Sequence, residues 1–197
     1  MTSIRNSTDR LTVYAIMIHC IRPHGIRLVA AALLALTLTA PAHADLSEGA
    51  KAPVFTTKAA MAGKEFGFSL ATALKQGPVV LYFYPKAFTS GCTLEANAFA
   101  SAMPDFQAAG ASVIGMSNDD IETLKRFSRE ECRDAFPVGV ASFEIMEDYD
   151  VGGASSPYAS RTSYVIAPGG RIATVYSSGD YREHVGRTLD AVKRLSK

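Results

Sequence analysis

The chain has 197 residues, 48% hydrophobic and 20% charged, with a formal net charge of +1. Its basic residues are scattered, and the closing Lys193-Arg194 pair belongs to a helix surface, so no basic stripe marks a nucleic-acid partner. Three cysteines and four histidines are too few, once those near the N-terminus are set aside, for a four-ligand structural zinc site.

Residues 1–44 read as a signal peptide. Ile26 to Ala40 is almost wholly apolar, is followed by Pro41, and leads to Ala42-His43-Ala44, a small-x-small cleavage motif. The stretch is short for a membrane span, so no membrane association is expected after cleavage, and no cysteine follows it closely enough to accept a lipid. A leader of 44 residues exceeds the usual length, whereas a start at Met17 gives 28 residues with Arg22 and Arg27 as the positive region. Cleavage there leaves residues 45–197 as a single domain, with 16 basic and 18 acidic residues and a net charge of −2. It also removes Cys20 and three histidines, leaving Cys92, Cys132 and His184.

From there the pattern alternates. Asp45 to Pro53 is an entry segment, Lys64 to Leu70 a strand and Ala71 to Gln76 a short helical turn. Val79 to Tyr84 is uncharged, β-branched and aromatic, the signature of a buried strand. A helix from about Cys92 to Ala109 is stopped by Gly110, and Pro104 inside it implies a kink or break. Ser112 to Met116 is a strand. Asn118-Asp119-Asp120 is a capping cluster for a helix from Ile121 to Cys132. A short strand at Val138 to Val140 and a short helix at Phe143 to Tyr149 come next. Strands at Thr162 to Ala167 and Ile172 to Tyr176 flank the hairpin turn Pro168-Gly169-Gly170, and a helix from Tyr181 to Leu195 ends the chain. Periodicity alone establishes an α/β domain.

Cys92 is the residue that carries chemistry. It stands at a strand-to-helix junction, where unpaired backbone N–H groups and the positive end of the helix dipole favour a thiolate. The spacing Pro85…Thr89…Cys92 resembles the active-site signature of the peroxiredoxins. Phe83-Tyr84-Pro85-Lys86 and Thr89-Ser90-Gly91-Cys92-Thr93-Leu94-Glu95-Ala96 look most like the bacterioferritin-comigratory, or Q-type, branch. The resemblance runs from about Gly49 to the C-terminus. It implies a thioredoxin-like fold, a central mixed β-sheet flanked by helices, and a thiol-dependent peroxidase for hydrogen peroxide and organic hydroperoxides. No metal or bound cofactor is implied.

The resemblance also distributes roles. Cys92 is the peroxidatic sulfur, Thr89 orients the peroxide, Pro85 shields the thiolate, and Arg161, opening Arg161-Thr162-Ser163-Tyr164-Val165-Ile166, is the cation. Glu95 matches a family glutamate in the first helical turn, although an ordinary favourable charge near a helix N-terminus accounts for it equally well. The resolving cysteine of many Q-type relatives lies five residues after the first, where this chain has Asn97. The other known arrangement uses the next helix, which points to Cys132, and bridging requires a helix end to unwind because disulfide-bonded Cα atoms lie within ~7 Å. The reductant implied is a thioredoxin-like protein or small thiol, and the expected assembly is a monomer or weak dimer. His184 reads as an exposed helix residue.

Two alternatives stay open on the sequence. One is a thiol–disulfide oxidoreductase, disfavoured because Cys92 is followed by Thr93, Leu94 and Glu95 rather than by Cys-x-x-Cys. The other is a non-enzymatic thioredoxin-like module with a structural disulfide, in which Thr89 and Arg161 have no purpose.

Overall fold

The computed structural model describes residues 46–196; the signal-peptide reading of residues 1–44 and the alternative start at Met17 lie outside the described residues. In chain order the elements are β1 (Thr56–Met61), β2 (Lys64–Ser69), α1 (Leu70–Ala73), β3 (Val79–Phe83), α2 (Ser90–Ala108), β4 (Ser112–Ser117) and α3 (Ile121–Glu130). Then come β5 (Val138–Val140), α4 (Phe143–Asp148), β6 (Thr162–Ile166), β7 (Ile172–Ser177), a 3₁₀ turn (Tyr181–Glu183) and α5 (His184–Leu195).

The strands form one seven-stranded sheet in the order β2-β1-β5-β4-β3-β6-β7. β3 runs parallel to β4 and antiparallel to β6, and β4 is parallel to β5, so the sheet is mixed. All five residues of β3 are buried. Because successive side chains point to opposite faces, Val80 and Tyr82 enter the apolar cluster built with α2, α3 and α5. Val79, Leu81 and Phe83 enter the cluster on the other face, with Leu70 of α1 and Met146 of α4. The central strand therefore ends, at Phe83, with helices on both sides and its chain free to turn into the segment that carries Pro85 and Cys92.

Several elements differ from the sequence reading. β1 had no counterpart there, because Thr56-Thr57-Lys58-Ala59-Ala60-Met61 buries only two small alanines and shows little alternation. It is held instead by pairing on both sides, to β2 and to β5. α2 runs as one helix through Pro104 rather than breaking there. Phe99, Met103 and Phe106 are buried around the proline, and that packing offsets the missing backbone bond. α3 stops at Glu130, two residues before Cys132. The Cys132 N–H reaches the Phe127 carbonyl, five residues back, at 3.1 Å, and Arg133 and Asp134 follow in left-handed conformation with φ of 51° and 57°. The final helix begins one turn later than expected, after the 3₁₀ turn capped by Asp180.

Candidate active site

The site forms where β3 delivers the chain to α2. Between them, Pro85 to Thr89 make a loop whose shape is set from neighbouring elements. The Ala87 N–H donates to Asp119 Oδ2 at 2.8 Å, and the Ser117 hydroxyl donates to the same oxygen at 2.8 Å. Asp119 thus ties the loop to the end of β4, while its neighbour Asp120 caps α3 by accepting from Thr123 N. The sequence reading grouped both as capping residues; only Asp120 caps. Phe88 has φ of 62°, a left-handed conformation that costs a side chain other than glycine about 1–3 kcal/mol. Its ring lies edge-on to Phe127 at 5.2 Å, with the Arg126 guanidinium 5.0 Å from its centroid. Those contacts hold the strained residue in place.

Thr89 occupies the position before α2, yet its hydroxyl donates to the Lys86 carbonyl at 2.9 Å and does not cap the helix. The first turn of α2 therefore keeps N–H groups free for another acceptor. Thr89 is exposed, Pro85 half-buried, and Cys92 is 2% exposed, just beneath the surface.

Arg161, immediately before β6, comes from the opposite side. Its Nη2 donates to Cys92 Sγ at 3.4 Å, and its Nη1 donates to Glu95 Oε2. A Cβ on Gly91 would stand 3.3 Å from Arg161 Nη2, so the glycine leaves room for the guanidinium. The fork sets a fixed positive charge 3.4 Å from the sulfur.

Glu95 is not an ordinary surface charge near a helix end. Its side chain is completely buried and lies one turn along α2 from Cys92. Burial pushes its carboxyl up to about 7, with the Arg161 charge and hydrogen bond opposing that rise. His184 corrects the sequence reading further: instead of an exposed position it is completely buried, with Nδ1 2.8 Å from Ser163 Oγ and 3.8 Å from Glu95 Oε1. The signal missed was its place as first residue of α5, on the face carrying Thr188 and Val192, which packs on the sheet.

Glu95 makes stability depend on pH in a defined direction. Between pH 4.5 and about 7 the folded chain retains a proton that the unfolded chain gives up, so the carboxyl's contribution is complete below that window and falls as pH rises through it. Relative to wild type, Glu95→Gln should gain stability as pH rises from 4.5 to 7, by up to about 3 kcal/mol. Urea unfolding of both proteins across that range measures the difference; parallel curves would contradict it.

Cys132 is completely buried in the same apolar cluster as Cys92. Burial, reinforced by Glu131 and Asp134, pushes its thiol far up, so it is neutral while buried. Its turn is tied to α2: Asn97 Nδ2 donates to Glu131 Oε2 at 3.2 Å, and Arg133 Nη2 donates to the Asn97 carbonyl at 3.0 Å and to Ser101 Oγ at 2.7 Å.

Residues 49–175 match the model of the AhpC/TSA family. The chain belongs to the AhpC/TSA family of peroxiredoxins. It is 34% identical over 157 residues to the chloroplastic peroxiredoxin Q of Suaeda salsa, covering 77% of this chain and 70% of that protein. It is 27% identical over 126 residues to the peroxiredoxin Bcp of Xanthomonas campestris, covering 60% and 78% respectively. Among solved structures, the peroxidoxin BcpB of Mycobacterium tuberculosis superposes with a TM-score of 0.69 at 27% identity, over 77% of this chain and 99% of that one. The thioredoxin-like architecture inferred from the sequence is thus the one observed, and the activity of this peroxiredoxin is thiol-dependent peroxide reduction.

Proposed function

We propose that Cys92 is the sulfur that meets the peroxide, with Thr89, Pro85, Arg161 and Glu95 completing its site, and that Cys132 resolves the oxidised form. The observation that carries the assignment is the Arg161 fork, one arm on Cys92 Sγ and the other on buried Glu95. In this reading the Cys92 thiolate attacks the nearer peroxide oxygen in line with the O–O bond. The S–O bond forms, the O–O bond breaks, and the departing oxygen leaves as water or alcohol after taking a proton. Arg161 and the free N–H groups of the first α2 turn stabilise the charge that develops on that oxygen, and the Thr89 hydroxyl aligns the peroxide. Pro85, half-buried beside the loop, limits water at the sulfur.

Cys92 is left as a sulfenic acid. The Cys132 thiolate then attacks that sulfur, the hydroxyl leaves as water with a proton, and a disulfide remains for an outside dithiol to reduce. Two features favour Cys132 as the partner. It lies beyond the end of α3 rather than inside it, and the two left-handed residues after it store strain that local opening releases. Opening must also break the bonds from Asn97 and Arg133 that join this turn to α2. The reductant is a thioredoxin-like protein or a small thiol. Export to the periplasm follows from the apolar stretch and the Ala42-His43-Ala44 motif, and intact-mass measurement of exported protein, expected to begin at Asp45, tests it.

Stoichiometric peroxide should convert the reduced protein to a monomeric Cys92–Cys132 disulfide, seen as the loss of two hydrogens and a cross-linked peptide. Cys132→Ser should still consume one equivalent of peroxide at an unchanged rate, then stall as sulfenic acid, overoxidise, or form a Cys92-linked dimer. Turnover by Cys132→Ser at the wild-type rate with the same reductant would make Cys132 a bystander and the enzyme a one-cysteine type.

A further inference from the structure

Behind Arg161 lies a second layer that the peroxide chemistry does not use. His184 Nε2 is 3.1 Å from the Ser178 carbonyl, which only accepts, so Nε2 carries a proton. In the neutral ring Nδ1 is then an acceptor, to which the Ser163 hydroxyl donates at 2.8 Å, with Glu95 Oε1 3.8 Å away. Glu95 Oε1 is buried and has no hydrogen-bond partner, whereas Oε2 is taken by Arg161. With Glu95 ionised and His184 neutral, Nδ1 has its donor in Ser163 while the negative Oε1 beside it has none in a buried space. One proton, on Oε1 itself or on the His184 ring beside it, relieves that carboxylate.

Charge counting gives that proton a role. The Cys92 thiol, the Arg161 guanidinium, the Glu95 carboxylate and the neutral His184 ring sum to zero. Ionising Cys92 leaves this cluster at −1 with side chains between 0% and 9% exposed at Arg161, Glu95 and His184. A buried uncompensated charge is costly. Resting on the assignment of Cys92 as the attacking sulfur, we infer that Glu95 and His184 together take up one proton when Cys92 ionises, so that the thiolate forms with no change in the net charge of the buried cluster. His184 is thus a positioning residue for the proton, acting on the sulfur through Glu95 and Arg161.

The remaining titratable neighbours do not supply this proton. Tyr82 of β3 faces Glu95, and burial holds its hydroxyl far above its ordinary range. Asp180 and Arg187 also act on His184, but each is already paired outside, Asp180 with Arg182 and Arg187 with Glu183. Tyr176 of β7 packs its ring against His184 at 4.7 Å and directs its hydroxyl to Glu183. Burial lowers the affinity of His184 for a proton, while Glu95 is pushed up to about 7, so the shared proton resides mainly on the carboxyl.

The test counts protons at a single sulfur, in protein carrying Cys92 as its only cysteine (Cys20→Ser and Cys132→Ser). The thiolate fraction is read from its ultraviolet absorbance across neutral pH, and the proton released on alkylation with iodoacetamide is measured in weak buffer. At a pH where the sulfur is mostly ionised, alkylation should still release close to one proton per sulfur, because the stored proton leaves when the negative charge is cancelled. In Glu95→Gln the release should fall to the remaining thiol fraction, whereas His184→Asn, which keeps the carboxyl, should lower it only in part. Release that tracks the thiol fraction in the parent protein overturns the inference. The parent measurement stands alone should Glu95→Gln fail to fold. Failure of peroxide to oxidise Cys92 would instead remove the assignment of the attacking sulfur, and mass analysis of the same protein reads that separately.

Discussion

Cys92→Ser should reduce peroxide turnover to the uncatalysed background. The serine hydroxyl has almost no oxyanion near neutral pH, so the nucleophile beside the Arg161 guanidinium is lost. The fold should survive, because the replacement is close in volume and Arg161 Nη2, 3.4 Å from the sulfur, can donate to the new oxygen. Unchanged thermal unfolding together with lost turnover, measured by peroxide consumption in the presence of reductant, is the expected pair of results. Residual turnover at even a few per cent of wild type would place the attacking sulfur elsewhere, and Cys132 would be the only other candidate among the described residues.

Arg161→Met should have the next largest effect, lowering the rate of Cys92 oxidation by about 10²–10³-fold, the usual scale for loss of one preorganised charged donor. Arg161→Lys should recover only part of that, since an ammonium cannot reach Cys92 Sγ and Glu95 with the two parallel arms of a guanidinium. The same substitution strips Glu95 of the partner that opposes its burial, which would cost about 3–5 kcal/mol if the carboxylate had to stay ionised. Glu95 escapes by holding its proton to higher pH, so the destabilisation should be small at pH 5 and grow as pH rises past 7. Single-turnover oxidation and denaturant unfolding at several pH values separate the two consequences. An Arg161→Met protein that reacts at the wild-type rate would remove the guanidinium from the chemistry.

Much of this was legible along the chain because it is written in neighbouring residues. Val79 to Phe83 announces a buried central strand by composition, and Pro85, Thr89 and Cys92 lie within eight positions of one another, so their spacing survives in one dimension. The Asn118-Asp119-Asp120 cluster before Ile121 and the Pro168-Gly169-Gly170 turn are local devices, legible for the same reason. Arg161 was found only by resemblance, since nothing in its own surroundings ties it to a cysteine 69 residues earlier.

Other features exist only once the chain is folded. β1 is a strand because β2 and β5 pair with it, not because its own residues alternate. Asp119 and Asp120 are equal candidates for a helix cap, and the loop from Pro85 to Thr89 chooses between them by offering the Ala87 N–H. Glu95 and His184 carry the same lesson into the site. A glutamate in a first helical turn and a histidine opening a last helix both read as solvated, and each would be, if α2 and α5 did not pack their ends over β6 beside Arg161. Burial is a property of the assembled layers. It turns two ordinary side chains into a proton-holding pair, because removal of water, which no stretch of sequence records, is what makes their charges costly.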